Sequence, residues 1–236
     1  PSCSALEVEA REFRPIPSGE YQLTARFESL DTEERIYGMG QYQQDVLDVK
    51  YSTFELAQRN SQASVPFVLS NKGYGFLWHI PAIGRASFGR NLMEWSAEST
   101  KQMDYWICAG DTPRDIERQY ADAVGHAPEM PEYGLGFWQC KLRYWNQEEL
   151  LRVAREYHRR GIPVDVIVVD FFHWPHQGDW RFDAEYWPDV KAMCDELHAM
   201  GMKLMVSVWP TVQEDSENYC ELLEKGYLVR SDRGSR

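Results

Sequence analysis

The chain has 236 residues, 43% hydrophobic and 26% charged, enough to bury a core and to form one or two globular domains. A net charge of −12 without a lysine or arginine cluster argues against nucleic acid as a partner. No apolar run approaches the roughly 18 residues of a membrane span, so no membrane association is expected.

Five cysteines, widely spaced and without a CxxC, suit neither a zinc ribbon nor a disulfide scaffold. Reduced thiols and the absence of a readable signal peptide are the grounds for expecting the cytoplasm, and the opening on Pro1 rather than Met adds nothing to them. Nine Trp and 13 Tyr are many for this length and fit flat, amphipathic ligands such as carbohydrates.

In chain order, RIYGMGQ, SVPFVLSN, YGFLWHI, RASFG and MDYWICAG alternate or run apolar between polar or glycine-rich breaks, as short β-strands do. Asn71 to Gly75 (NKGYG) predicts a hairpin turn, and the whole predicts an antiparallel sandwich. Between Gly40 and Pro66 a polar, aromatic stretch reads either as a long functional loop or as irregular surface. The period then changes. Asp111 to Gly125 predicts a helix, with Pro113 at its start, Ile116, Tyr120 and Val124 on one stripe, and Gly125 at its end. APEMPEYG, with two prolines, reads as a connection.

From Gly134 strands and helices alternate. GLGFWQC is a short strand, and Asn146 caps a helix with Leu150, Val153, Ala154 and Tyr157 on its apolar stripe. Gly161 and Pro163 end that helix. Val164 to Val169 is a β-branched run suited to a strand covered on both faces. A helix from about Asp189 to Met200, a third strand KLMVSVW and a last helix from about Ser216 to Lys225 follow. Such a repeat builds a parallel sheet, in a doubly wound fold or a (β/α)8 TIM barrel. No GxGxxG or GxxxxGK[ST] follows a strand, which disfavours nucleotide folds and favours the barrel. The expected domains are a β-sandwich over 1–126, a linker over 127–133 and about three βα units of a barrel over 134–236.

In a barrel, function sits at the carboxyl ends of the strands. Here those ends bring Lys141, Arg143 and Tyr144, then Asp170, Phe171 and, in the following loop, Trp174, then Trp209 and Pro210. Rings can cover the C–H patches of a sugar while a carboxylate accepts its hydroxyl hydrogens. The plainer readings are a strand-end Asp capping a turn, an Arg143 salt bridge to Asp170 or another carboxylate, and Trp209 as rim packing. His173 and His176 form an H-x-x-H, but with no firm third ligand and a proline between them no metal site is assigned, and no cofactor is implied.

The segments ERIYGMGQ, SVPFVLSNKGYGFLWH, GDTPRDIERQYADAVGHAPEMPEYGLGFWQCKLRY and VDVIVVDFFHWPHQGDWRFDAEYWPDVKAMCDELHAMGMKLMVSVWP, in this order, resemble family 31 of the glycoside hydrolases. KLRYW and DFFHWPHQGDW look most like its α-xylosidase-type branch. The resemblance implies a retaining α-glycosidase acting on α-xylosides or α-glucosides, with a sandwich that lends the barrel a loop, which the Gly40–Pro66 stretch would supply. It implies that Asp170 binds sugar hydroxyls, that Trp209 walls the same subsite and that Arg143 or Tyr144 forms another wall.

The family's nucleophile is an Asp ending the fourth strand, and its acid/base is an Asp further on. A retaining reaction needs these two carboxyls about 5–5.5 Å apart, and the sequence through Arg236 reaches only the third βα unit. No residue of this chain is therefore assigned a catalytic role. The alternative is a non-catalytic carbohydrate-binding protein on the same partial fold. An open sheet edge further predicts that the isolated chain is marginal or is held by self-association as a homo-oligomer.

Overall fold

The computed structural model describes residues 9–229. It forms two compact units, one ending at Ala127 and the other beginning at Pro128.

The first unit is built on two antiparallel sheets. One contains β1 (Arg11–Pro15), β2 (Tyr21–Glu28), β4 (Thr53–Leu56), β7 (Gly84–Phe88) and β8 (Leu92–Thr100), in the order β1-β2-β8-β7-β4. The other contains β3 (Ile36–Gln41), β5 (Ala63–Ser70), β6 (Tyr74–Trp78) and β9 (Tyr105–Ala109), in the order β3-β5-β6-β9. Their inner faces share one core, with Leu23, Ala25, Ala86 and Trp95 from the first sheet and Ile36, Val68, Phe76 and Trp78 from the second. This is a β-sandwich. The NKGYG turn closes β5 on β6, with Ser70 opposite Tyr74 and Gly73 at a φ of 81° that glycine adopts without penalty. Helix α1 (Pro113–Val124) begins with a Thr112–Asp115 capping box and buries Ile116, while Tyr120 stacks on Phe67 at 4.0 Å. Val124 is exposed and lies off the predicted stripe.

The stretch from Gly40 to Pro66 is not one loop: β4 lies within it and pairs with β7, and Val49, Phe54 and Leu56 enter the core. Strands β1, β2, β4 and β8 were also not predicted. In β8, Met93, Trp95 and Ala97 point inward between Glu94, Ser96 and Glu98. Its glutamate, serine and alanine residues have low strand propensity and mask the alternation.

The second unit is a parallel three-stranded sheet, β10 (Trp138–Gln139), β11 (Val166–Val169) and β12 (Lys203–Val206), with β11 in the middle. Helix α2 (Gln147–Arg159) connects β10 to β11, α3 (Val190–Ala199) connects β11 to β12, and α4 (Tyr219–Glu224) follows. Every residue of β11 is buried, as its unbroken β-branched run requires. Leu150 and Ala154 of α2 and Met193 and Leu197 of α3 pack on Ile167 and Val169. The N-caps of α2 and α3 are Asn146 and Asp189, accepting from the amides of Glu149 and Ala192.

Several boundaries differ from expectation. The third strand stops at Val206 rather than Trp209, the last helix starts at Tyr219 rather than Ser216, and a 3-10 turn over Glu132–Leu135 occupies part of the expected connection. No helix among the described residues is long and apolar enough to cross a membrane.

Candidate functional site

Because β10, β11 and β12 are parallel, the segments that leave them emerge along one edge of the sheet. Asp170 follows β11 directly. One carboxylate oxygen accepts from the amide of Phe171 at 2.8 Å, and the other lies 3.8 Å from the Cys140 thiol, which follows β10. Burial, and then the negative charge of Asp170, push the Cys140 thiol up. It therefore stays protonated at neutral pH and able to donate.

The rings assemble beside this carboxylate. Phe171 stacks on Trp209, centroids 5.1 Å apart and planes within 12°. Phe172 lies 4.6 Å from Phe171 and 5.7 Å from Trp209, and Trp174 closes the group 6.2 Å from Trp209. Trp209 is 40% exposed and Phe172 is also open, whereas Trp174 is buried and its indole N–H has no partner among the described residues. Phe172 sits at φ 63°, a left-handed conformation that costs a bulky residue about 1–3 kcal/mol. Its surroundings, not its own preference, hold it there.

Arg143 joins this cluster. Its guanidinium lies 4.1 Å from the Trp145 ring centre, 4.9 Å from that of Phe172 and 5.4 Å from that of Phe171. Asp170 instead bonds the Phe171 amide and the Cys140 thiol, so Arg143 is bound up with rings rather than with this carboxylate. Tyr144 is placed elsewhere. It is 4% exposed, packs in the core with Leu150 and Ala154, and its hydroxyl accepts from Gln139 at 3.1 Å. Of the two residues considered for a wall, only Arg143 lies against the strand-end rings. Lys141, also expected at the mouth, pairs with Glu149 at 2.6 Å and holds that carboxyl below the usual range.

His173 is buried between Trp174 and Phe182, and its Nδ1–H donates to the Asp170 carbonyl at 3.1 Å. Burial lowers its pKa, so the ring is neutral. His176 instead turns to Asp179, 3.3 Å from Nδ1. Among the described residues no group of three or more His, Cys, Asp or Glu is placed to hold a metal ion. Sequence reasoning did not single out Cys140 for this site, and it read Trp180 only as one ring of the aromatic loop after Asp170, without giving it a role. Trp180 is half-exposed, has φ 51° and donates from Nε1 to the Trp209 carbonyl at 2.9 Å. An aromatic residue following Gly-Asp in a loop was the one available signal.

A parallel sheet with an aromatic cluster and one anchored carboxylate along its carboxyl edge is the arrangement in which α/β folds place small-molecule sites. Residues 127–236 match the family described as "Glycosyl hydrolases family 31 TIM-barrel domain". The chain belongs to glycoside hydrolase family 31. It is 59% identical over 231 residues to an uncharacterised family 31 glucosidase of Pseudescherichia vulneris, covering 98% of this chain and 44% of that protein. Alpha-xylosidase A of Aspergillus niger is 39% identical over 224 residues, covering 93% of this chain and 30% of that one. Among solved structures, a family 31 α-xylosidase from a soil metagenome, complexed with xylose, superposes with a TM-score of 0.91 at 61% identity. That match covers 98% of this chain and 34% of the other. The chain thus spans less than half the length of each of these relatives.

Proposed function

We propose that this chain is part of a retaining α-glycosidase that removes terminal α-linked xylose, or α-linked glucose, through a glycosyl-enzyme intermediate. The observation that carries this reading is the Phe171–Trp209 stack beside Asp170, with Arg143 packed on the adjoining rings. In this reading residues 134–236 contribute about three βα units to a (β/α)8 barrel, 1–126 form the sandwich domain and 127–133 join them. Trp209, with Phe171 and Trp174, offers C–H-binding ring surface, and Asp170 accepts sugar hydroxyl hydrogens. Asp170 is given no covalent role; the nucleophile and the acid/base come from residues outside this chain. Xylose is placed first because the 61% identical structure is described as an α-xylosidase complexed with xylose. The cytoplasm is proposed as the compartment, supported by free thiols at Cys108, Cys140, Cys194 and Cys220.

The test is hydrolysis of aryl α-D-xyloside and aryl α-D-glucoside by the full-length protein that contains this chain, with the anomer of the first-formed product read by NMR. Release of the α-anomer is expected. Asp170→Asn should lower kcat/KM by about 10–100-fold, the worth of a hydrogen bond to a charged group. Release of the β-anomer, or unchanged kcat/KM in the variant, would refute the reading. Xylose binding without turnover would establish the carbohydrate-binding alternative instead.

A further inference from the structure

The loop after β11 and the loop after β12 each carry part of the aromatic cluster, Phe171 to Trp174 on one and Trp209 on the other. Their spacing therefore decides whether the rings meet. A buried carboxylate that the proposed reaction does not use lies between them. Asp179 is 4% exposed. One of its oxygens accepts from the amide of Glu217, at 3.0 Å, across the gap between the loops. The other accepts from the amide of His176, at 3.1 Å, within its own loop.

Further ties run beside it. Asn218 donates to the Gly178 carbonyl at 2.7 Å, and the Gln213 amide donates to the Gln177 carbonyl at 2.9 Å. Gly178, at φ 104°, comes so close to Val212 that an added Cβ would meet its Cα at 2.9 Å. The next residue after Asp179 is Trp180, whose indole N–H reaches the Trp209 carbonyl.

We propose that Asp179 is a positioning residue for the sugar site: it clamps the two loops together and, through Trp180, sets the place of Trp209 in the ring stack. The proposal rests on the glycosidase reading and adds a residue outside the ring cluster that controls its geometry. Burial pushes the Asp179 carboxyl up, but the amides of Glu217 and His176, with further hydrogen bonds, outweigh this and hold it below the usual range. The group is thus an anion at neutral pH whose acceptors meet backbone donors. An asparagine there keeps the size but turns an N–H toward a donor that needs an acceptor. A tryptophan forced to φ 51° between two such ties has its ring direction settled by the clamp.

The ring wall contacts the sugar in the ground state and the transition state alike, so displacing it should weaken both equally. In the full-length protein, Asp179→Asn is expected to raise KM for the aryl α-glycoside by about tenfold with kcat nearly unchanged. Trp180→Phe keeps a ring on the surface but deletes the N–H donor, and should give the same pattern without a change in melting temperature. The double variant should fall short of the product of the two single effects, because both act through Trp209. A merely structural Asp179 would lower the melting temperature and the active fraction, hence kcat, and leave KM alone. That result, or an unchanged KM in Trp180→Phe, would overturn the proposal while leaving the glycosidase reading intact. A wild-type protein inactive on both aryl glycosides would overturn that reading and this inference with it.

Discussion

At the scale of single residues, the clearest organising group outside the strand-end cluster is Glu34. It is buried in the sandwich and accepts from Ser70 and Tyr74 at 2.7 Å each, from Ser29, and from Lys50 at 3.2 Å. Burial raises its pKa, but the hydrogen bonds from Ser29, Tyr74, Ser70 and Lys50 more than offset that and leave it lowered. Burial, together with the hydrogen bond to Glu34, pushes the Tyr74 phenol far up, so it remains a donor. A carboxyl whose folded pKa lies below its unfolded value contributes stability above the unfolded value of 4.5, lost as pH falls through the folded one. Urea midpoints measured between pH 7 and pH 3 should therefore fall for the wild type, and less steeply for Glu34→Gln. At pH 7, Lys50→Met should cost about 3–5 kcal/mol, because it leaves a buried carboxylate without its cation. An acid limb identical in wild type and Glu34→Gln would show that this group carries none of the pH dependence.

At the scale of elements, three helix starts rest on local caps, of which Asn146 was legible as a cap from the sequence. Thr112 with Asp115, Asn146 with Glu149 and Asp189 with Ala192 are local contacts three residues apart, so their geometry follows from the chain itself. Asn146→Ala should lower stability by about 1 kcal/mol by freeing the Glu149 amide. Chemical denaturation of the variant checks this, and a loss below a few tenths would mean that water caps the helix equally well. Strand β8 shows the opposite case. Its Glu94 and Ser96 suit other structures better than a strand, and only pairing with β2 and β7 on its two sides makes it the centre of its sheet. The stretch around β4 failed for a similar reason, since Phe54 and Leu56 are core residues only because β7 lies beside them.

At the scale of the whole molecule, the parallel sheet ends on β12, which among the described strands pairs only with β11. Met205 and Val208 are exposed there, and Val229 is 97% exposed. Nearby, Tyr219, Leu222 and Tyr227 line a groove with Trp180 and Pro210. An open edge with apolar side chains recruits another chain. The 236-residue chain alone should therefore self-associate in sedimentation velocity, and Met205→Lys, which places a charge at that edge, should shift it toward monomer. A cooperative monomeric melt of the unsubstituted chain would contradict this.

The sequence by itself determined what depends on neighbours along the chain. The caps, the NKGYG turn, the β-branched run of β11 and the alternation of strand and helix after Gly134 all rest on contacts within a few residues. Asp170 and Phe171 could be singled out for the same reason, because the carboxyl end of a buried strand can be read from its apolar run, whereas Trp209 lies beyond the end of β12 at Val206. Tertiary structure decided what depends on distant partners. Arg143 rather than Tyr144 lies against the rings, because the β10–α2 turn directs one side chain to the cluster and the other into the helix core. Asp179 looks like any loop aspartate until Glu217, 38 residues on, presents its amide. Its burial and its charge state follow from that long-range approach, which no local pattern encodes.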